Sequence, residues 1–335
     1  MAALGKARFL LQHKCSVYKL SGCRYFSVQS VRHSESKSPV GFIGLGNMGG
    51  PMAKNLIKNG YSVTVFDVSE QSKEDLRKAG ANVVSSPAAV ASEVDTIVTM
   101  LPSNPHVIEV YTGKSGILST VKPGSLLIDS STIDPMVSID MAEQCSKKNA
   151  TFMDAPVSGG VLAAASGALT FMVGGPASEF PAAKIILENM GKNVIHCGGV
   201  GTGEAAKVCN NMMLAISMIG ASETMNMGIK LGLEPKVLKD VLCTSSARCW
   251  SLDTYNPVPG VLEGVPSSKD YQGGFATELM VKDLGLAQNV ATTLKSPTPL
   301  GSLAHQIYRV MCNKGYARKD FSSAYMFLQD EKEEK

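Results

Sequence analysis

Histidine is scarce in this chain, five among 335 residues, and none pairs with an acid in a way that supports a histidine base; His305 reads as a helix-interior residue. The eight cysteines contain no C-x-x-C pair, so a zinc site or a disulfide framework is not expected, and no metal is assigned. Buried free thiols in a reduced compartment are the simpler account. No run reaches the about 20 apolar residues that a bilayer requires, because the most apolar stretch is interrupted by Asn210, Asn211 and Ser217. Internal repeats and low-complexity tracts are missing too, leaving only a solvated acidic tail over 330–335.

Acidic residues are almost missing from the first 37 positions, which carry Glu35 against seven Lys or Arg, with serines interspersed and no apolar run long enough for secretion. That is the composition of a mitochondrial transit peptide, and Arg24-Tyr25-Phe26-Ser27 resembles a matrix-processing site. A mature protein starting near Ser27 in the mitochondrial matrix is expected. The leader carries +6 of a total of +3, so the remainder is net negative and no nucleic-acid surface is implied.

The chain as a whole is 44% hydrophobic and 18% charged, an ordinary globular composition at a length too great for one core, so two domains are expected. A strand signal over 39–43 runs directly into Gly44-Leu45-Gly46-Asn47-Met48-Gly49 and then a helical run over 51–58 stopped by Gly60. Glycines so placed allow a tight turn, close approach of backbone to a pyrophosphate, and packing of helix on strand. The next strand, 62–66, ends in Asp67, where a carboxylate receives the adenosine ribose hydroxyls and repels a 2′-phosphate; NAD is favoured over NADP. Strand and helix then alternate through 96–101, 126–129, 151–153, 169–173 and 194–197, with Ser86-Pro87 and Asp134-Pro135 as helix starts. These repeats specify an α/β Rossmann-type doubly wound sheet over 39–199. Ligands in such sheets sit at the carboxyl ends of strands, where Leu101-Pro102, Ser131-Thr132 and 154–160 fall.

Beyond Gly201 the strand pattern stops, and helices are expected over 202–231, 235–245, 277–293, 300–314 and 320–330, an all-α domain over 200–335 with a Pro/Gly-rich connection over 255–274. The first of these helices organises the chain. After Lys207 the next charge is Glu223, fifteen uncharged residues in between, so the helix must be buried on nearly all faces. Lys207 and Asn211 share one stripe, one turn apart, at its head. A lysine there is either a first-turn side chain with its stem packed down, or a catalytic group beside a cofactor.

Four segments together resemble the β-hydroxyacid dehydrogenase family: Gly41-Phe42-Ile43-Gly44-Leu45-Gly46-Asn47-Met48-Gly49; Asp154-Ala155-Pro156-Val157-Ser158-Gly159-Gly160; Gly201-x-Gly203-x-x-x-Lys207-x-x-Asn210-Asn211; and Lys282-Asp283. Their order and spacing cover the chain from 39 to about 328. The resemblance implies Lys207 as general acid/base and Ser158, Gly159 and Gly160 as the substrate carboxylate anchor. It implies Asn211 as a substrate contact or a holder of the lysine. The cofactor contacts implied are the 44–49 turn, Asp67, Leu101, Pro102, Thr132 and Lys282. An asparagine that the family carries after Pro102 is replaced here by His106 or displaced to Asn104. With the leader and Asp67, the branch it looks most like oxidises 3-hydroxyisobutyrate to methylmalonate semialdehyde with NAD in valine breakdown. Reductases of tartronate, succinic or glyoxylic semialdehyde share these motifs, and a non-catalytic nucleotide-binding scaffold is the alternative from another class. A homodimer or homotetramer is expected, with Trp250 and the Met-rich helices as candidates for the subunit contact; the partner is a small 3-hydroxy acid, with no nucleic acid and no membrane.

Overall fold

Short apolar segments alternate with helices from Val40 onward in the computed structural model, which describes residues 37–329; the expected leader, its cut near Ser27 and the acidic tail lie outside them. In order come β1 (Val40–Ile43), α1 (Gly49–Lys58), β2 (Val63–Phe66), α2 (Glu70–Lys78), β3 (Asn82–Val83) and α3 (Pro87–Glu93). They are followed by β4 (Thr96–Thr99), α4 (Asn104–Thr112), β5 (Leu126–Asp129), α5 (Pro135–Ser146) and β6 (Thr151–Asp154). Every residue of β1 and β5 is buried, as befits strands covered on both faces. Ser86 and Asp134 cap α3 and α5 through their side chains, each with proline in the first turn.

The sheet is completed by β7 (Val157–Ser158), α6 (Gly160–Ser166), β8 (Leu169–Gly174), α7 (Phe180–Leu187) and β9 (Gly191–Gly198). Its order is β3-β2-β1-β4-β5-β6-β8-β7, with β9 beside β8. The first six strands pair in parallel, the doubly wound arrangement expected from the sequence. Past β6 the simple repeat breaks, because β8 runs antiparallel to both β6 and β7. β6 and β7 share one register against β8, with Asp154 opposite Gly174 and Ser158 opposite Thr170, so they are one extended run interrupted at Ala155 and Pro156. The chain doubles back only after Ser158, through α6, and neither β7 nor α6 is expected from the sequence. Met52, Leu56 and Phe171 belong to one of the two apolar clusters of the sheet, Ile97, Tyr111 and Phe152 to the other.

Helices follow: α8 (Thr202–Lys230), α9 (Pro235–Thr244), α10 (Trp250–Asp253), α11 (Thr277–Thr293), α12 (Pro299–Met311) and α13 (Ala324–Gln329). The third expected helix, 277–293, is observed residue for residue, whereas α12 stops short of 314 in an irregular turn where Gly315 takes φ +92°. α8 corrects one expectation. It is buried on one side only: Met213 and Met227 are 61% and 60% exposed, and with Ala205, Cys209, Gly220 and the charged Glu223 they form an exposed stripe at helical spacing. Its apolar composition thus exceeds what the core of one chain uses. No helix among the described residues is long and apolar enough to cross a membrane.

Candidate active site

The turn after β1 is built for close approach. Gly44 takes φ +92°, and a Cβ on it would overlap the carbonyl oxygen of Met100, while one on Gly49 would overlap that of Gly44. These two glycines pin α1 against the strand, whereas Gly46 has open space where its Cβ would be. The α1 N-terminus has no side-chain cap and no acid in its first turn, so its N–H groups remain available to an anion. Leu45 is buried, Met48 half-buried, and Gly46 and Asn47 exposed. Asp67 follows β2 and reaches back: its Oδ2 accepts the Leu45 N–H at 2.6 Å and its Oδ1 that of Ser69 at 2.7 Å. The acid expected at the ribose is fixed against the phosphate turn by those two bonds.

Along the carboxyl edge of the sheet, Thr99, Asp129 and Asp154 are successive register partners on β4, β5 and β6. Asp129 is fully buried. Its Oδ1 accepts the hydroxyls of Thr99 and Ser131, each at 2.6 Å, and Ser131 Oγ in turn accepts the Leu101 N–H at 2.8 Å. One buried carboxylate therefore ties together the loops after β4 and β5, and burial pushes it up to about 6. Leu101 and Thr132 are half-buried and Pro102 is exposed beside them. Asn104 Oδ1 accepts the Asp134 N–H at 3.1 Å, a second tie between the loops, and the exposed His106 lies with Nδ1 2.8 Å from Ser103 Oγ. Lys282, from α11, donates to the Thr132 carbonyl at 2.8 Å, so a residue 150 positions later is tied to the loop after β5.

At the head of α8, Gly201 takes φ +85°, and a Cβ on Gly203 would overlap the Met172 carbonyl oxygen and come within 2.7 Å of Asp154 Oδ2. The first turn is seated on β8 because position 203 has no side chain. Asp154, buried at the end of β6, accepts the Gly201 N–H at 2.7 Å and the Glu204 N–H at 3.0 Å, and so caps the helix from the sheet. One turn on, Lys207 is 7% exposed and donates to the Val157 carbonyl at 2.7 Å. That carbonyl immediately precedes Ser158, Gly159 and Gly160; Ser158 is half-buried and the glycines take φ +131° and +69° on the surface. Burial lowers the proton affinity of Lys207 and Lys282 acts in the same direction, whereas Asp283 and Glu204 oppose it. Asn211 is buried and donates its amide to Asp283, which pairs with Lys282 at 3.1 Å.

The sequence-assigned residues thus fall into two groups, the 44–49 turn, Asp67, Leu101, Pro102 and Thr132 on the sheet domain and Lys207, Asn211 and Lys282 on the helices, joined where Lys282 donates to the Thr132 carbonyl. His106 is exposed. Unassigned from the sequence, yet integral here, are Asp129, Ser131, Glu204 and the capping role of Asp154; a G-x-G before a helix with an acid three residues before the lysine was the available signal. A half-buried hydroxyl, backbone at positive φ and a buried amine of lowered proton affinity can bind a carboxylate and move a proton from a neighbouring hydroxyl. Two shallow surface cavities, of about 380 and 470 Å³, lie elsewhere: one lined by Glu223, Asn226 and Leu328, the other by Pro259, Ser268 and Tyr271.

Known proteins align with this arrangement over almost its whole length. The family described as the NAD binding domain of 6-phosphogluconate dehydrogenase matches residues 39–199, and that described as the NAD-binding of NADP-dependent 3-hydroxyisobutyrate dehydrogenase matches 201–328. Mitochondrial 3-hydroxyisobutyrate dehydrogenase of Homo sapiens is 63% identical over 306 residues, 91% of each chain, and that of Drosophila melanogaster 48% identical over 88% of this chain and 90% of its own. The solved structure of Mycobacterium tuberculosis 3-hydroxyisobutyrate dehydrogenase with L-serine is similar at a TM-score of 0.82 and 39% identity, covering 87% of this chain and 99% of that one. Identity of that order across nearly the full length means that this chain belongs to the β-hydroxyacid dehydrogenase family, alongside the mitochondrial 3-hydroxyisobutyrate dehydrogenases.

Proposed function

We propose that this protein oxidises 3-hydroxyisobutyrate to methylmalonate semialdehyde, a step of valine breakdown, with Lys207 as the proton-transfer group. The observation that carries the reading is the buried Lys207 amine, held by the Val157 carbonyl next to Ser158-Gly159-Gly160. Bound NAD supplies the hydride acceptor. The residues fit that cofactor: an uncapped α1 N-terminus and the open side of Gly46 suit the pyrophosphate, and Asp67 suits an unphosphorylated ribose. Leu101, Pro102, Thr132, Lys282 and His106 are the further cofactor contacts in this reading. Ser158 and the N–H groups of Gly159 and Gly160 anchor the substrate carboxylate. Lys207 takes the hydroxyl proton as the alcohol is oxidised and returns it in the reverse direction, while Asn211 holds the site through Asp283.

Residence in the mitochondrial matrix is part of the same reading, supported by the basic first 37 residues and by relatives that carry the word mitochondrial in their names. So is a homodimer or homotetramer: among the described residues, twelve of the nineteen exposed large apolar side chains lie beyond residue 200, Met213, Met227 and Trp250 among them, which leaves a surface for another subunit. The decisive assay follows NADH formation across a panel of small hydroxy acids. 3-Hydroxyisobutyrate should give the highest kcat/KM; a preference for glycerate or 4-hydroxybutyrate, or no turnover of any member, would overturn the assignment.

A further inference from the structure

Glu204 is wholly buried, three residues before Lys207 on α8, and the chemistry above gives it no task. Its Oε2 accepts the Ile133 N–H at 3.2 Å, and its Oε1 has no hydrogen-bond partner among the described residues. Capping does not require it, since Asp154 receives the N–H groups of Gly201 and of Glu204 itself. The charges that face it are mainly its own sign: Asp129 from β5 and Asp154 from β6. Lys282, from α11, is the opposing charge, already engaged by the Thr132 carbonyl and by Asp283, and the acids of α5, Asp140 and Glu143, are exposed. Lys207 itself donates to Val157 instead. An ionised Glu204 would be a buried carboxylate with one long hydrogen bond beside two others, an arrangement that costs far more than a neutral acid in the same place. Burial and then the two aspartates hold its carboxyl well above the usual range.

We propose that Glu204 is a positioning residue that works as a neutral carboxylic acid, filling the space among Asp129, Asp154 and Lys207 without the negative charge that would keep Lys207 an ammonium. This rests on Lys207 being the base. With Glu204 neutral, Asp283 is left as the chief charge opposing the effect of burial on the lysine.

The test compares wild type with Glu204→Gln, which has the shape of the protonated acid. A glutamic acid that keeps its proton in the fold and loses it on unfolding makes stability fall as pH rises, by up to tenfold in the folding constant per pH unit above the unfolded-state value of about 4.3. Chemical unfolding from pH 5 to 9 should therefore show wild type losing stability relative to Glu204→Gln; parallel curves overturn the proposal. That readout uses no turnover, so it fails separately from the assignment of Lys207. In the pH profile of oxidation, the midpoint of the rising limb should coincide in the two proteins, and a midpoint moved to lower pH in Glu204→Gln means that Glu204 is ionised, which also overturns it. Should the variant not fold, wild-type protein with ¹³C-labelled glutamate side chains decides: an isotope-shifted C=O stretch of a protonated carboxyl is expected at pH 7, and its absence is contrary.

Discussion

Asn211 on α8 donates its amide to the buried carboxylate of Asp283 on α11, so the side chain one turn beyond Lys207 is committed to a neighbouring helix. Asp283 is also the largest charge that raises the proton affinity of Lys207. Asp283→Asn keeps an acceptor for Asn211 but removes that charge. The rising limb of the oxidation rate against pH should move to lower pH by about one unit, with a smaller change in NAD affinity. A limb that stays in place or moves up is the contrary result.

Lys207→Arg keeps a cation of similar reach that cannot give up its proton. Its kcat should fall roughly 10²- to 10⁴-fold, with NAD dissociation little changed. In wild type, the lysine must be deprotonated to accept the substrate proton, so oxidation should rise with pH through an ionisation below the about 10.4 of free lysine, and reduction of the semialdehyde should fall through it. Retention of more than about a tenth of wild-type kcat would return Lys207 to a packing role.

NAD should exceed NADP by at least about tenfold in kcat/KM, since a carboxylate beside a 2′-phosphate costs on the order of 1 to 3 kcal/mol. Because Asp67 also fastens the Leu45 N–H, Asp67→Ala should narrow the gap chiefly by raising the KM for NAD. Cofactor kinetics on both proteins check this, and an NADP preference in wild type contradicts it.

Asp129, pushed up to about 6 from an unfolded-state value of about 3.9, binds a proton in the fold that the unfolded chain has released between those values. Its contribution is therefore present at low pH and lost as pH rises through about 6. In Asp129→Asn that part of the decline should vanish from unfolding curves taken at pH 4 to 7. Loss of the ionised acceptor should at the same time loosen Leu101 and raise the KM for NAD, since Ser131 is its link to Asp129.

Gly203→Ala places a methyl against the Met172 carbonyl and Asp154. A cost of about 1–3 kcal/mol is expected. The kcat of the folded fraction should drop as well, because the displaced turn carries Lys207; unchanged Tm and kcat are the outcome against it.

Much of this was legible from residue order alone. The parallel strands β1, β2, β4, β5 and β6 announce themselves as apolar runs, whereas the two-residue β3, Asn82–Val83, does not; Gly44, Gly46 and Gly49 stand between strand and helix where phosphate chemistry wants them. The reversal through α6 was not legible, since a two-residue strand and a seven-residue helix leave no clear periodic signal. Glu204 was hidden for another reason: a first-turn acid normally reads as a solvated partner of the helix dipole, and only the capping by Asp154 and the closure by α11 put it inside. Asp283 is visible in the sequence only as the neighbour of Lys282, because its bond to Asn211, 72 positions away, has no local signature. The exposed stripe of α8 shows the limit of composition, which reports that a face is apolar and not whether the same chain covers it.

Asp154 also decides how this protein can be divided. A fragment beginning at Gly201 would keep Lys207, Asn211 and Asp283, yet its leading helix would start with N–H groups whose acceptor was left behind on β6, and with Lys207 deprived of the Val157 carbonyl. The converse fragment would carry Asp154 at the end of β6 with its helix-borne donors, the Gly201 and Glu204 N–H groups, gone. Modularity in this molecule therefore ends at the level of the motif: nucleotide turn and catalytic helix can be told apart by eye, but they cannot be cut apart, grafted or recombined with a foreign partner unless the acid that joins them travels too.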